Sequence, residues 1–336
     1  MSSADARAPG AHRAQGTSVG ESTWWTRSPT AAGLALGALA DLLFADPRRG
    51  HPVAGFGQAA AVLEGWTWRD SRLAGAAYTA VCLGTATGVG AVGHRLSTGR
   101  PLLRTGLTAA ATWAALGGTS LGRAAARMEE HLAAGDLPAA RAQLRSLAGR
   151  DPSSLGEAEL VRATVESVAE NTSDAAVAPL LWGAIAGLPG LVAYRAVNTL
   201  DAMVGYRSPR YARFGWAAAR LDDVLNWVPA RTTAVLTVVT APLTGGSSAG
   251  AWRTWQRDGA AHPSPNAGRC EAALAGALGL RLGGRNVYGE RVEDRPALGD
   301  GRGPVRGDVR RAVRLSRTVW TAAAVLAVLL RVARRR

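Results

Sequence analysis

Long uncharged stretches alternate along this chain with short arginine-bearing ones. Leu73 to Gly93, Ala175 to Tyr194 and Thr232 to Trp252 each carry no charge, and an apolar helix of about 20 residues crosses a bilayer core. Thr105 to Gly122 is slightly short, and Ser28 to Ala40 and Thr318 to Leu330 are weaker candidates. Arginines fence these runs, as Arg72 and Arg95, Arg104 and Arg123, Arg231 and Arg253, and Arg317 and Arg331. Tryptophan, 11 residues against 3 phenylalanines, gathers near their ends, among them Trp66, Trp68, Trp227, Trp252 and Trp320. An indole ring is apolar while its N–H prefers water, so interfaces favour it. The pattern predicts an all-α, multi-pass helical membrane protein.

Between Leu121 and Asp174 the pattern becomes amphipathic. Asp136 with Pro138 behind it reads as a helix start, and Ser154 with Glu157 fits a capping box for the next helix. Helix formers return from Trp216 to Val228. Gly283 to Asp308, dense in Gly, Pro and charge, reads as a flexible loop, and no stretch alternates long enough to predict a strand. Residues 1–28 read as a disordered leader without a cleaved signal, and 29–336 as one helical membrane domain that includes the amphipathic segment 121–174.

Composition then narrows the chemistry. Of 336 residues, 47% are hydrophobic and 19% charged, against about 25% charged in ordinary soluble proteins. The net charge is +14, and all 39 basic residues are arginine. Without lysine there is no Schiff-base lysine, no pyridoxal phosphate held as a lysine imine and no Walker-type phosphate loop. Cys82 and Cys270 stand apart and suggest neither a disulfide framework nor a zinc site. The excess arginine suits cytoplasmic loops beside anionic lipid. It is spread over every loop without a recognition motif, so no nucleic-acid partner is expected; a soluble Ala-rich helical scaffold is the competing reading.

Four segments carry candidate chemistry. In the first, Arg162, Glu166, Glu170 and Asp174 recur every four residues and share one helix face, beside Asn171. Three carboxylates on one stripe suit magnesium with substrate phosphates; a solvated ion-pair face is the alternative. In the second, Asn198 and Asp201 precede Tyr206, Arg207, Arg210 and Arg213, where arginines could grip phosphate or mark a positive-inside loop. Asp222 and Asp223 follow as a carboxylate pair, for metal binding or as a helix flank. In the third, His262-Pro-Ser-Pro-Asn266-Ala-Gly is a proline-fixed loop with room for a ligand. The fourth places Asp41, Asp46 and His51 at the end of a weak span.

Together these segments resemble the adenosylcobinamide-phosphate synthase family of cobalamin biosynthesis. The resemblance rests on Asp41-Leu-Leu-Phe-Ala-Asp46-Pro with His51-Pro52, Glu166-Ser-Val-Ala-Glu170-Asn171-Thr-Ser-Asp174, and Asn198-Thr-Leu-Asp201-Ala-Met-Val-Gly-Tyr206. Leu221-Asp222-Asp223, the His262 loop and Asn286-Val-Tyr288-Gly-Glu290 extend it, in order, over roughly residues 30 to 330. One local departure is Arg269-Cys270, where a bulky residue and a proline are expected.

The resemblance implies an inner (plasma) membrane ligase that joins aminopropanol, or its O-phosphate, to a propionate carboxylate of adenosylcobyric acid, using ATP and Mg2+. It can be expected to work beside other membrane enzymes of that pathway. On this basis Glu166, Glu170 and Asp174 are assigned to catalysis, and Glu170, Asp174, Asp222 and Asp223 to metal. Asn171, Asn198, Asp201, Tyr206, Arg207, Arg210, His262, Asn266, Asp46 and His51 are assigned to substrate binding. A transporter for a corrinoid or another anion is the rival class.

A topological conflict follows. If Ala175 to Tyr194 crosses the bilayer once, the carboxylate stripe and the arginine loop face opposite sides. Pro189-Gly190 interrupts that run, so a re-entrant helical hairpin, or a broken helix lining a cavity, is expected to return both motifs to one face.

Overall fold

Proline opens three of the early helices, α1 (Pro29–Phe44), α2 (Pro52–Thr67) and, after α3 (Arg72–Leu96), α4 (Pro101–Ala115). It suits a first turn, where its missing N–H would find no helical partner. A computed structural model of the chain describes residues 28–46, 50–149, 151–288 and 291–334; the expected leader, apart from Ser28, lies outside them. Helices α5 (Gly118–Ala133), α6 (Leu137–Leu144) and α7 (Glu157–Thr172) follow. Asp136 caps α6 as expected, accepting from the Ala139 N–H at 3.0 Å. The box expected from Ser154 and Glu157 lies two residues further on: Glu159 Oε2 accepts from the Gly156 N–H at 2.9 Å.

A π turn, Ser173–Val177, joins α7 to α8 (Ala178–Val204). Then come α9 (Trp216–Leu225), α10 (Trp227–Thr240), a 3₁₀ turn (Ala241–Thr244), α11 (Ser248–Asp258) and α12 (Ala267–Leu278). Strands β1 (Leu282–Tyr288) and β2 (Arg291–Leu298) precede α13 (Arg306–Ala333).

Among the described residues, three helical stretches are long and apolar enough to cross a membrane: α3, the run Glu157–Val204 and α13. The uncharged run from Thr232 to Trp252 is not one span. Pro242 ends α10 in the 3₁₀ turn, Gly245 takes a left-handed φ of 76°, and α11 starts afresh under a Ser247 cap. The C-terminal run, weaker by sequence, is instead part of a 28-residue helix.

The run Glu157–Val204 does not pass straight through. At Gly187 the backbone has φ 67° and ψ −150°, a region essentially reserved for glycine. The Tyr194 hydroxyl lies 3.2 Å from the Asp174 carbonyl, 20 residues away in sequence; a straight helix would separate them by about 30 Å. A Cβ added to Gly190 would lie 2.8 Å from the Trp182 carbonyl, so the two arms touch near the bend as well. The segment is therefore a helical hairpin. Its tip lies beside His94 near the end of α3 and Arg331 near the end of α13, and Arg334 Nη1 donates to the Ile185 carbonyl at 2.6 Å.

Small side chains let the helices approach closely. A Cβ on Gly33 or Gly37 of α1 would fall 2.5 or 2.4 Å from Thr108 or Thr112 of α4. The main core gathers Leu160, Val165, Val168, Leu180, Leu191, Leu315 and Val319, all buried, from α7, α8 and α13. Such contact, more than hydrophobic transfer, drives helix association in lipid.

The segment 283–308 is not the flexible loop expected. Most of it forms an antiparallel hairpin in which Leu282 faces Leu298 and Gly284 faces Arg295, with a bulge at Leu282/Gly284. Two charged side chains of α7 anchor it. Glu166 Oε1 accepts from the Gly283 N–H at 2.9 Å, and the Arg162 guanidinium donates to the Gly283 and Arg285 carbonyls. Support that is 121 residues away in sequence leaves no local alternation to read.

Candidate active site

The hairpin in α8 brings α7, the π turn, the end of α8 and α9 to one end of the bundle, around a cleft of about 940 Å³. Glu170 and Asp174 reach it from the first arm and Asp201 from the second. Asp222 and Asp223 come from α9, and Asp294 from β2. Arg207, Arg220 and Arg295 line the same cleft, so six carboxylates meet three guanidinium groups. His262, Ser264 and Asn266 close one side, with Tyr206 and Gly149 also in the lining.

The carboxylates repel one another and are drawn from water. Burial, opposed by amide bonds from Asn226 and Asn198 and reinforced by Asp223 and Glu170, pushes Asp222 up to about 6. Burial likewise raises Asp223, against the pull of Arg220 and Arg207. Arg220 Nη1 lies 3.4 Å from Asp223 Oδ2. Such a site favours a cation or a hydrogen-bond donor.

Asn266 is fixed by donating through Nδ2 to the Asp223 carbonyl at 2.8 Å. Its Oδ1 is buried and, among the described residues, accepts no hydrogen bond. Because the Asp223 carbonyl can only accept, the amide cannot be turned round, and Oδ1 remains available to a donor. His262 is buried on the same loop, where its Nδ1 accepts from the Ser264 N–H at 3.0 Å. Prolines 263 and 265 hold this loop.

Other residues singled out from the sequence stand elsewhere. The stripe of α7 divides: Glu170 and Asp174 line the cleft, whereas Glu166, 2% exposed, supports the β-hairpin, so this face is not a solvated one. Asn171 donates to the Ser167 carbonyl and hydroxyl. Arg210 turns to Glu64, with Nη2 to Oε1 at 2.9 Å, and stacks 4.6 Å from the Trp68 ring centre. Asn198 is one bond from the cleft, donating to Asp222 Oδ1 at 3.4 Å. His51 caps α2 through Nδ1, which accepts from the Val53 N–H at 3.1 Å. The Asp46 N–H donates to Ser120 at 3.3 Å, and the Asp46 carboxylate acts electrostatically on Arg195. Asp41 is fully buried and accepts from the Thr119 N–H and hydroxyl. Of Asn286-Val-Tyr288-Gly-Glu290, the backbone of 286–288 belongs to β1; the side chains, and residues 289 and 290 altogether, lie outside the described ones.

Several participants carried no weight in the sequence: Gly149, Tyr194, Arg195, Arg220, Asn226, Asp294 and Arg295. Arg195 had a legible signal, being the lone charge between Asp174 and Asp201, and an ionisable group within a membrane segment is a functional-site hypothesis by default. Tyr194 and Asn226 had none, because their importance lies in contacts made across the bend.

The donor set is hard oxygen, the kind that magnesium takes. Among the described residues, no three His, Cys, Asp or Glu side chains could hold a metal ion by themselves.

The CobD/Cbib protein family matches residues 34–316. The chain is 58% identical over 309 residues, 92% of its own length and 97% of the relative's, to the cobalamin biosynthesis protein CobD of Mycobacterium tuberculosis (strain CDC 1551 / Oshkosh). A protein of the same name in Geobacter metallireducens is 46% identical over 283 residues, covering 81% and 89% of the two chains. One in Chromobacterium violaceum is 42% identical over 303 residues, covering 87% and 94%. No solved structure matches the chain. A family match that takes in every segment lining the cleft, with relatives this similar over nearly their full length, means that the chain belongs to the CobD/Cbib family.

Proposed function

We propose that this protein is a membrane enzyme of cobalamin biosynthesis that forms an amide between a propionate carboxylate of adenosylcobyric acid and aminopropanol or its O-phosphate, using ATP and magnesium. The observation that carries the reading is the convergence of acidic and guanidinium groups from α7, α8, α9 and the β-hairpin in one cleft. A nucleotide, an anionic partner and an ammonium group need those opposite charges side by side.

The chemistry sets the roles. A carboxylate does not condense with an amine in water, because oxide would have to leave. Phosphoryl transfer from ATP converts it to an acyl phosphate and releases ADP. The neutral amine then attacks the acyl carbon, phosphate departs with the bonding pair, and the extra proton goes to a base. Glu170, Asp174, Asp222 and Asp223 are the residues suited to magnesium, which neutralises phosphate charge when bound. A carboxylate of the same cluster takes the ammonium proton. Arg207, with Arg220 and Arg295, neutralises the phosphoryl group, a task that falls to arginine in a chain without lysine. Asn266 Oδ1 accepts a substrate N–H.

Membranes containing the protein, given ATP, magnesium, adenosylcobyric acid and aminopropanol phosphate, should yield a new amide, ADP and phosphate. A transporter would move a corrinoid without making one. Glu170→Gln or Asp174→Asn should abolish turnover in protein that remains folded; full activity in both would reject the assignment. Running the assay with free and phosphorylated aminopropanol in parallel identifies the acceptor.

A further inference from the structure

One carboxylate of the cleft, Asp222, is clamped at both oxygens by side-chain amides. Asn226 Nδ2 donates to its Oδ2 at 2.9 Å, and Asn198 Nδ2 donates to its Oδ1 at 3.4 Å. Each amide is held from behind. The Tyr194 hydroxyl donates to Asn226 Oδ1 at 2.8 Å, and Arg195 Nη1 donates to Asn198 Oδ1 at 3.0 Å. The directions are forced. Arginine can only donate and a carboxylate can only accept, so a reversed Asn198 would set N–H against N–H and oxygen against oxygen. At Asn226 the carboxylate alone sets the direction, since only the NH₂ can face it, which leaves the carbonyl to the phenol.

We infer that Tyr194, Arg195, Asn198 and Asn226 are positioning residues that fix the Asp222 carboxylate in one orientation toward the cleft. Resting on the reading of the preceding section, this makes Asp222 the preset carboxylate that the reacting groups meet. A charge fixed in advance needs no reorganisation when the substrates arrive, and a site loosens when its supporting residues are lost. The clamp also ties the site to the fold. Tyr194, on the returning arm of the hairpin, lies within 3.2 Å of the Asp174 carbonyl on the first. One phenol therefore joins the closed hairpin to the set carboxylate.

Two measurements test this on the full-length protein in detergent or nanodiscs. The first is carbodiimide labelling of carboxylates, read by peptide mass spectrometry. Tyr194→Phe and Asn226→Leu free Asp222 to turn, so its labelling should rise about threefold or more, the scale of one lost hydrogen bond. Asp201, in the same sample, should stay within error. Unchanged labelling of Asp222, or an equal rise at Asp201, overturns the inference, because general loosening would affect both.

The second is amide formation. Each variant should lower kcat, by about fivefold for Tyr194→Phe and tenfold for Asn226→Leu, at a scale of about 1 kcal/mol per hydrogen bond, with KM for each substrate unchanged. Tyr194→Phe should cost less in an Asn226→Leu background than alone, because the chain to Asp222 is already broken there. Effects that multiply, or that fall on KM alone, overturn it. If the wild type makes no amide, the reaction of the preceding section is rejected, while labelling still decides the clamp.

Discussion

Replacing Gly187 by alanine tests the hairpin on which the cleft depends. With φ 67° and ψ −150°, the bend occupies backbone space that an L side chain reaches only at a cost of about 1–3 kcal/mol. Crowding adds little. A methyl group there would meet Arg331 Nη2 at 3.8 Å and His94 Nδ1 at 3.9 Å, ordinary contact distances. The substitution thus isolates backbone strain. At about 2 kcal/mol it lowers the population of the closed hairpin, relative to the open one, by a factor of about 30. Thermal unfolding of the detergent-solubilised protein should show a clear fall in midpoint. Gly88→Ala is the control, because nothing lies within 4 Å of an added Cβ in the middle of α3. It should be neutral, or stabilising by up to about 1 kcal/mol, as alanine replaces glycine in a helix. If Gly187→Ala melts with Gly88→Ala and the wild type, the reversal does not depend on this backbone conformation and the reasoning fails.

Three further outcomes are expected. Cysteines at Ser154 and Ser208 should react with an impermeant maleimide from one side of the membrane, and one at Thr98, beside the hairpin tip, from the other; labelling of Ser154→Cys and Ser208→Cys from opposite sides would reject the hairpin. Turnover should decline as pH falls through about 6, where Asp222 takes up a proton, instead of near 4 as for an ordinary aspartate; a flat pH–rate profile from pH 7 to 5 would remove Asp222 from the chemistry. Arg257 holds the Asp258 carboxyl below the usual carboxylate range. That ion pair stabilises the fold above an ordinary aspartate value and is lost as pH falls through the lower, folded one. Arg257→Gln should therefore be less stable than wild type at pH 6, with the gap closing below about pH 4 in parallel acid melts.

What could be read from the sequence follows from how local each signal is. The helix start at Asp136 is local, and was legible. The end of α10 was only half legible, because the strongly apolar part of the run ends at Pro242 while the absence of charge continues to Trp252. The carboxylate stripe was legible as periodicity, but its division was not. Glu166 and Glu170 have the same spacing and charge, and only the β-hairpin lying against α7 separates a support from a cleft residue. Arg210 misled for the same reason: nothing near it in sequence announces Glu64, 146 residues away. The β-hairpin itself was missed because its anchors lie on α7.

The bend at Gly187 also explains why polar and apolar signals conflict in this region. Arg195 interrupts an otherwise uncharged segment between Asp174 and Asp201, and by hydropathy alone it looks like the end of a membrane span. Folded back, it stands behind the cleft, in the field of Asp46 and Asp174 and donating to Asn198, which in turn bonds Asp222. A charge at that depth is costly, and the acids whose field acts on it, Asp46 and Asp174, belong to segments that straight helices would hold far apart. The hairpin and the buried charge thus support each other. Opening the bend would withdraw Asp174 from Arg195, and removing Arg195 would leave acidic groups packed at the mouth of the hairpin with less to hold them together. Gly187→Ala and Arg195→Gln should therefore destabilise the protein by less in combination than the sum of their separate effects, because residues in one network do not contribute additively. Strict additivity in the same thermal assay would show that bend and arginine act independently.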